Sequence, residues 1–321
     1  MPQIFGRNSF IKIGEEGTYG TLAASLTNSA RVYSVSLART QQRDRKTDLS
    51  TSDGAFSVAH FDIFEESGGS IEVPLRFDNA GTFLFAATGQ TPTSTPDASL
   101  FVHEYKCGTT DMPSFSIVSQ RGSGNAEQFL GCKVSQLEIT GSAGEEIKMT
   151  LEVIAQTANT RSGTASPVYG SGNQAFHYEA SSMKVTPSSG GGTVNYDLIN
   201  FTLTLNNSIE RKNVLGSKLT AEPEITDFKT VELSGECYQL NNSLYDLQLS
   251  GTPQDIEIEF SETGSNNYIK LYIYNAVISD FDDAIDTVGR LTQSFTFLGF
   301  ADSTKEAMKI EIRNGNSSAI S

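Results

Sequence analysis

The sequence predicts a mainly β protein of two tandem domains, each a small β-sandwich or barrel with one short flanking helix. Three observations carry that expectation: period-two alternation along much of the chain, an internal repeat, and a composition rich in turn formers. At 321 residues the chain exceeds one ordinary domain, so two are expected. Hydrophobic residues make up 37%, low for a globular chain, which suits a modest core in each unit. The 19 Phe and 11 Tyr still supply large apolar surfaces that must be buried, which argues against disorder.

The strands come first. In the first half SVSL (34–37), SIEVPLRF (70–77), KVSQLEI (133–139) and IKMTLEVIA (147–155) alternate apolar with polar residues. In the second half FTLTL (201–205), TVELSGECY (230–238), IEIEF (256–260), YIKLYIYNAVI (268–278) and SFTFLGF (294–300) do the same. Alternation means that one face packs on a core while the other meets water or another subunit. One helix is expected in each half. Asp78 or Asn79 can cap GTFLFAAT before Gly89, and Asn241 or Asn242 can cap SLYDLQLS before Gly251. A side-chain oxygen takes up orphan amides at the start, and glycine tolerates the left-handed exit. Helices this short depend on packing against the sheets.

The repeat follows from matching segments in the same order. YSVSLARTQQRDRK from Tyr33 pairs with FTLTLNNSIERKNV from Phe201, 168 residues on. SIEVPLRFDN from Ser70 pairs with TVELSGECYQ from Thr230 at an offset of 160, and the helices end at Gly89 and Gly251, 162 apart. VSQLEI from Val134 matches ISDFDD from Ile278, and IKMTLEVIA from Ile147 matches LTQSFTFLG from Leu291, both at 144. The falling offset places extra residues in the first copy, mostly between Gln90 and Ser114. A tandem duplication with one inserted loop accounts for this. It divides the chain into residues 1–158 with an N-terminal arm, a Gly/Ser-rich linker at 159–195 with an ordered patch near Phe176–Val185, and residues 196–321 with a C-terminal tail.

Composition then narrows the function. A formal charge of −15 and a pI of about 4.6 set the chain against gripping nucleic acid, which takes clustered Lys and Arg. The first twenty residues hold no apolar run that could serve secretion, and no stretch is long and apolar enough to cross a bilayer. Cys107, Cys132 and Cys237 are odd in number and widely spaced, so buried reduced thiols are expected in a soluble protein of cytoplasmic origin. His60, His103 and His177 lie far apart in sequence and form no metal-ligand spacing. Adjacent acids such as Glu145 and Glu146 point to opposite faces of a strand and make poor acid/base couples. Asp280, Asp282, Asp283 and Asp286 lack the order of a calcium loop. The Gly-rich runs at Gly122 and Ser189 lack the GK[ST] ending of a phosphate loop and read as turns. No catalytic, cofactor or metal residue is therefore assigned, and an enzyme is not expected.

Two long segments are too polar for a core: Arg39 to Gly54 and Asn206 to Asp227. They read either as solvated loops or as arms that reach a neighbouring subunit. On the second reading the contact candidates are Arg39, Arg43, Asp44, Arg45 and Lys46, with Glu210, Arg211 and Lys212 in the other arm.

RNSFIKIGEEGTYGT, from Arg7 to Thr21, resembles the opening of siphophage major tail tube proteins, with Gly14, Glu15, Tyr19, Gly20 and Thr21 at the corresponding positions. NVLGSKLTAEPEITDFKTVELSGE and the closing strand–turn–strand ending in FLGF are similar to that family too. The resemblance implies a virion protein of the tail, made in the host cytoplasm, that partners with itself. Single-domain members form six-subunit rings, so a duplicated chain implies trimeric, pseudo-hexameric rings that stack into a tube. Other partners implied are the tape measure and the tail terminator, with DNA passing an acidic lumen during ejection without specific binding. The long loops, the N-terminal arm and the tail after Lys309 are the expected ring-to-ring contacts. The alternative is another virion component: a terminator, a baseplate protein or a surface-binding β protein.

Overall fold

The computed structural model describes residues 6–26, 28–45, 60–77, 80–108, 112–159, 163–169, 181–239, 241–261, 266–283 and 290–320. Lys46, the caps Asp78 and Asn79, His177 and Asp286 lie outside the described residues. Among those described, all strands join one antiparallel network, and two short helices sit within it.

The first half contains β1 (Phe10–Glu15), β2 (Asn28–Arg31), β3 (Ser34–Val35), β4 (Ala38–Arg45), β5 (His60–Pro74), α1 (Ala80–Thr88), β6 (Thr93–Asp97), β7 (Leu100–Lys106), β8 (Phe115–Gln120), β9 (Ala126–Ser142), β10 (Lys148–Ala155) and β11 (Thr157–Ala158). The second contains β12 (Ser181–Pro187), β13 (Val194–Tyr196), β14 (Leu198–Asn206), β15 (Thr230–Tyr238), α2 (Ser243–Ser250), β16 (Gln254–Ser261), β17 (Tyr268–Asp282), β18 (Thr292–Gly299) and β19 (Met308–Asn314). A central layer runs β4-β5-β10-β9-β14-β15-β18-β17. Two outer groups complete the fold: β2-β1-β8-β9, and β13-β12-β16-β17-β19-β7-β6. The long strands β9 and β17 each pass from an outer group into the central layer.

The halves repeat one pairing order, β4-β5-β10-β9 and β14-β15-β18-β17, and the likeness extends to single atoms. Gln136 pairs with Glu152, and the residues 144 further on, Asp280 and Thr296, pair as well. Next to each pair a β-bulge leaves one serine over. Ser135 Oγ donates to Glu152 O and Ser279 Oγ to Thr296 O, both at 3.2 Å. Gln156 N donates to Leu130 O as Phe300 N does to Tyr274 O. Two sequence offsets need correction. Pro74 pairs with Lys148 and Tyr238 with Thr292 at the ends of equivalent ladders, so β5 and β15 correspond at 164 residues and not at 160. Glu72 pairs with Ser34 and Glu236 with Asn200, which sets β3–β4 against β14 at 166 and not at 168. Even-numbered slips preserve the alternation, so the pattern alone could not separate these registers.

The helices differ. Every residue of α1 is buried, because AGTFLFAAT carries only two hydroxyls and both are satisfied. Thr88 Oγ1 donates to Leu84 O at 2.8 Å, and Thr82 Oγ1 accepts from Asn28 Nδ2. By contrast, α2 buries only Leu244. Gly251 ends it at φ 61° and donates to Leu247 O. Asn241 Oδ1 accepts from Ser243 N at 2.9 Å, while Asn242 makes no side-chain cap.

Residues 159–195 contribute β12 and β13, which flank β16 as β1 and β2 flank β8. The 90–114 insertion supplies β6 and β7, and β7 pairs with β19 near the end of the chain. Residues 309–314 are thus an interior strand between β17 and β7, and not part of a free contact tail. Beyond them Ala319 O accepts from Tyr105 OH at 2.6 Å, beside α1.

All three cysteines are buried and unpaired. Burial pushes the thiols of Cys107 and Cys237 up to about 12 and about 11, and that of Cys132 well above its ordinary value. Because the thiolate is the nucleophile, a thiol reagent at pH 8 should find no reactive cysteine in the native protein and three in denaturant. Phe83→Ala should cost about 3–5 kcal/mol in urea unfolding, since the helix around it has no exposed side on which to relax.

Candidate functional site: a polar sheet face, two edges and an arm

The central layer has two unlike faces. Inward lie rows such as Ile71, Leu151, Leu137, Leu205 and Val231, all at most 3% exposed. Outward, Glu72, Thr150, Glu138, Thr204 and Glu232 stand side by side across five strands. A threonine separates each glutamate from the next, which avoids like charges in directly opposed pairs. Neighbouring outward rows carry Ser70, Glu152, Gln136 and Asn206, then Lys148, Thr140, Thr202, Ser234, Thr296 and Asp280, then Asn200, Glu236, Ser294 and Asp282. Lys148 is the one cationic side chain in these rows, 3.7 Å from Glu72. The face is broad, hydroxyl-rich and negative.

Each end of this layer is an edge. Among the described residues β4 pairs only with β5, and residues 277–282 of β17 pair only with β18. Arg39, Arg43 and Arg45 lie along the first edge, and Asp280, Asp282 and Asp283 at the second. Inside the chain the corresponding junction is already made, where β9 pairs with β14 over Gln136–Ser142 and Asn200–Asn206.

The candidate contact residues hold distinct positions. Arg39 spans Glu65 at 2.7 Å and Ala158 O at 3.0 Å. Arg43 and Lys218 share Asp62, both at 3.0 Å, and their hydrogen bonds hold its carboxyl below the usual range. Asp44 Oδ1 accepts from Arg45 N, and Lys212 pairs with Glu224 at 2.8 Å. Glu210 is exposed. Arg211 lies in the arm between β14 and β15, which turns back over the first half of its own chain. It donates to Ser67 O and to Ala155 O, and burial lowers its pKa.

Sequence reasoning missed what receives this arm. Lys133, almost fully buried, reaches Pro223 O at 3.0 Å and Glu222 at 2.8 Å. Tyr19 OH donates to Ala221 O, and Lys218 O accepts from Glu65 N. A lysine on the inward register of KVSQLEI was the available signal. In the N-terminal motif the working acid is Glu16, beside Glu15: its carboxylate accepts from Ser116 Oγ, Gly131 N and Gly20 N at 2.8–2.9 Å. Gly20 (φ 73°) brings its amide to that carboxylate through a left-handed turn. His103 is a satisfied core histidine held by Ser94 and Asn314, and His60 is exposed. Among the described residues no three His, Cys, Asp or Glu are grouped to hold a metal, and no helix is long and apolar enough to cross a membrane.

The model of the phage tail tube protein family matches residues 6–299, and the chain belongs to that family. No curated protein matches its sequence. Membership makes it a structural component of the virion tail, a class that self-assembles into a tube with other tail proteins.

Reversing the charge of the outward face tests its electrostatics. Wild-type protein should leave duplex DNA unshifted in a gel, whereas Glu138→Lys/Glu232→Lys/Glu236→Lys should retain it. With three phosphates contacted, that affinity should fall roughly 40-fold between 50 and 200 mM salt.

Proposed function

We propose that this member of the tail tube family forms trimeric, pseudo-hexameric rings that stack into the tail tube of a siphophage, with the acidic face of the central layer lining the DNA conduit. One observation carries the reading: the β9–β14 junction inside the chain is matched by two edges, β17 and β4, of the same kinds of strand. Moving Gln136↔Asn206 by the offsets 144 and 166 sets Asp280 opposite Thr40 of the next chain, and Phe281 opposite Arg39. Three chains of eight strand positions close a barrel of twenty-four and leave no edge open to uncontrolled pairing. Acidic β17 then meets basic β4, which favours that partner and order.

The units of the ring are residues 1–158 and 196–321, bridged by 159–195. In this arrangement Arg43, Asp44, Arg45 and Lys46 face a neighbouring chain, while Glu210, Arg211 and Lys212 belong to the arm that serves the same role within a chain. An anion-lined bore repels the phosphate backbone, so DNA passes without specific binding. The role asks for no catalysis or cofactor. Tape measure and terminator proteins are the partners at the bore and at the end of the tube.

Negative-stain microscopy of concentrated protein should show rings or tubes of constant diameter with three chains per ring. Asp280→Lys, which puts a lysine on a pairing edge, should lower ring yield at least tenfold and leave a folded monomer. A wild-type protein that stays monomeric at high concentration sinks the reading. Closed rings that never stack point to a terminator or baseplate component instead.

A further inference from the structure

The arm of the second half covers one seat on the first half, and the equivalent seat on the second half lies open. The covered seat is the last pair of the β5–β10 ladder, Ser67↔Ala155, whose carbonyls Arg211 caps. The last pair of the β15–β18 ladder is Val231↔Gly299, and a groove of about 710 Å³ opens there. Leu205, Phe228, Val231, Leu298, Phe300 and Ala307 line it. Phe228 is 88% and Phe300 52% exposed. The covered seat presents Lys133 to the arm; the residue 144 further on is Val277, and Phe300 lines the open groove. It is an apolar version of an occupied polar site.

We propose that this groove seats the β4–β5 hairpin of the next copy of the chain, in the way the first half seats the arm. The inference rests on the ring reading and names a contact beyond its strand-to-strand seam. The register supports it. At the offset of 166, Arg45 stands where Arg211 stands. The arm's bridge Ile209↔Ile225 also falls within one residue of the hairpin pair Arg43↔Asp62. Arg45 then caps the carbonyls of Val231 and Gly299. Phe61, 52% exposed and next to Arg45's cross-strand partner His60, supplies an apolar side chain to fill the open groove. Two carboxylates, Asp227 and Glu306, and one lysine, Lys229, also line the groove, and the carboxylates complement Arg43 and Arg45. A hydrophobic centre with a charged rim is the ordinary anatomy of a specific contact.

The test is a chain carrying Arg45→Cys and Phe228→Cys, oxidised after assembly, beside a control with Arg45→Cys and the exposed Leu249→Cys of α2. The first pair should give disulfide-linked dimers and trimers on a non-reducing gel, at least tenfold above the control, and no larger ladder. Rings with cross-links at control level overturn the seat while leaving the ring reading intact. Ladders beyond trimers place the contact between rings and overturn it too. Absence of rings in the unmodified chain overturns both. Arg45→Glu should lower ring yield at least tenfold; an unchanged yield counts against the seat.

Discussion

Backbone pairing across β9 and β14 is the constraint on which the rest of the architecture depends. A strand offers hydrogen-bonding groups on two sides, and a layer of finite width always has two sides left over. The fold meets this need at its centre by joining the last strand of one repeat to the first of the next. The same step creates the outer edges, one basic and one acidic, that ask for identical treatment. In the proposed ring, repetition inside the chain becomes repetition between chains, because the edges that meet there are copies of edges already paired within it.

Side-chain chemistry follows from that layer. Its inner face is aliphatic and aromatic and carries the core, including the fully buried α1. Its outer face spaces carboxylates with threonines, so a negative surface forms without like charges directly opposed. A cylinder closed from this layer presents either face to the bore, and the buried one is already occupied by the outer strands and α1. In the proposed tube the polar face is the one left to line the bore, and its negative charge suits the proposed passage of a polyanion.

The repeat is not perfect, and its departures have structural work. The first half carries an inserted hairpin that adds β7 beside β19, so the N-terminal half completes a sheet of the C-terminal half. The arm between β14 and β15 runs the other way, laying Arg211 and the Glu222–Pro223 turn over Ser67, Ala155 and Lys133. These exchanges lock the halves together and leave the groove at Val231 and Gly299 uncovered. The helices differ with their surroundings: α1 is core and α2 lies at the surface, yet both leave through a left-handed glycine, Gly89 and Gly251.

Much of the fold was legible because strands and short helices announce themselves locally. TVELSGECY is a strand end to end, GTFLFAAT and SLYDLQLS are helices, and the 144-residue repeat of β9–β10 holds down to the bulge serines. The registers of β4 and β5 against β14 and β15 were not legible, since a shift of two or four residues leaves the alternation unchanged. Nor was the fate of polar segments: Arg211 and Lys212 read alike in the sequence, yet one caps carbonyls in a crowded seat and the other pairs with Glu224 in solvent. Sequence by itself determined the β character, the duplication and the negative charge, all of which are periodic or additive properties of the chain. Which face is polar to the outside, where the arm lands and which groove stays open were decided only by the tertiary structure, because each depends on contacts between residues far apart in sequence.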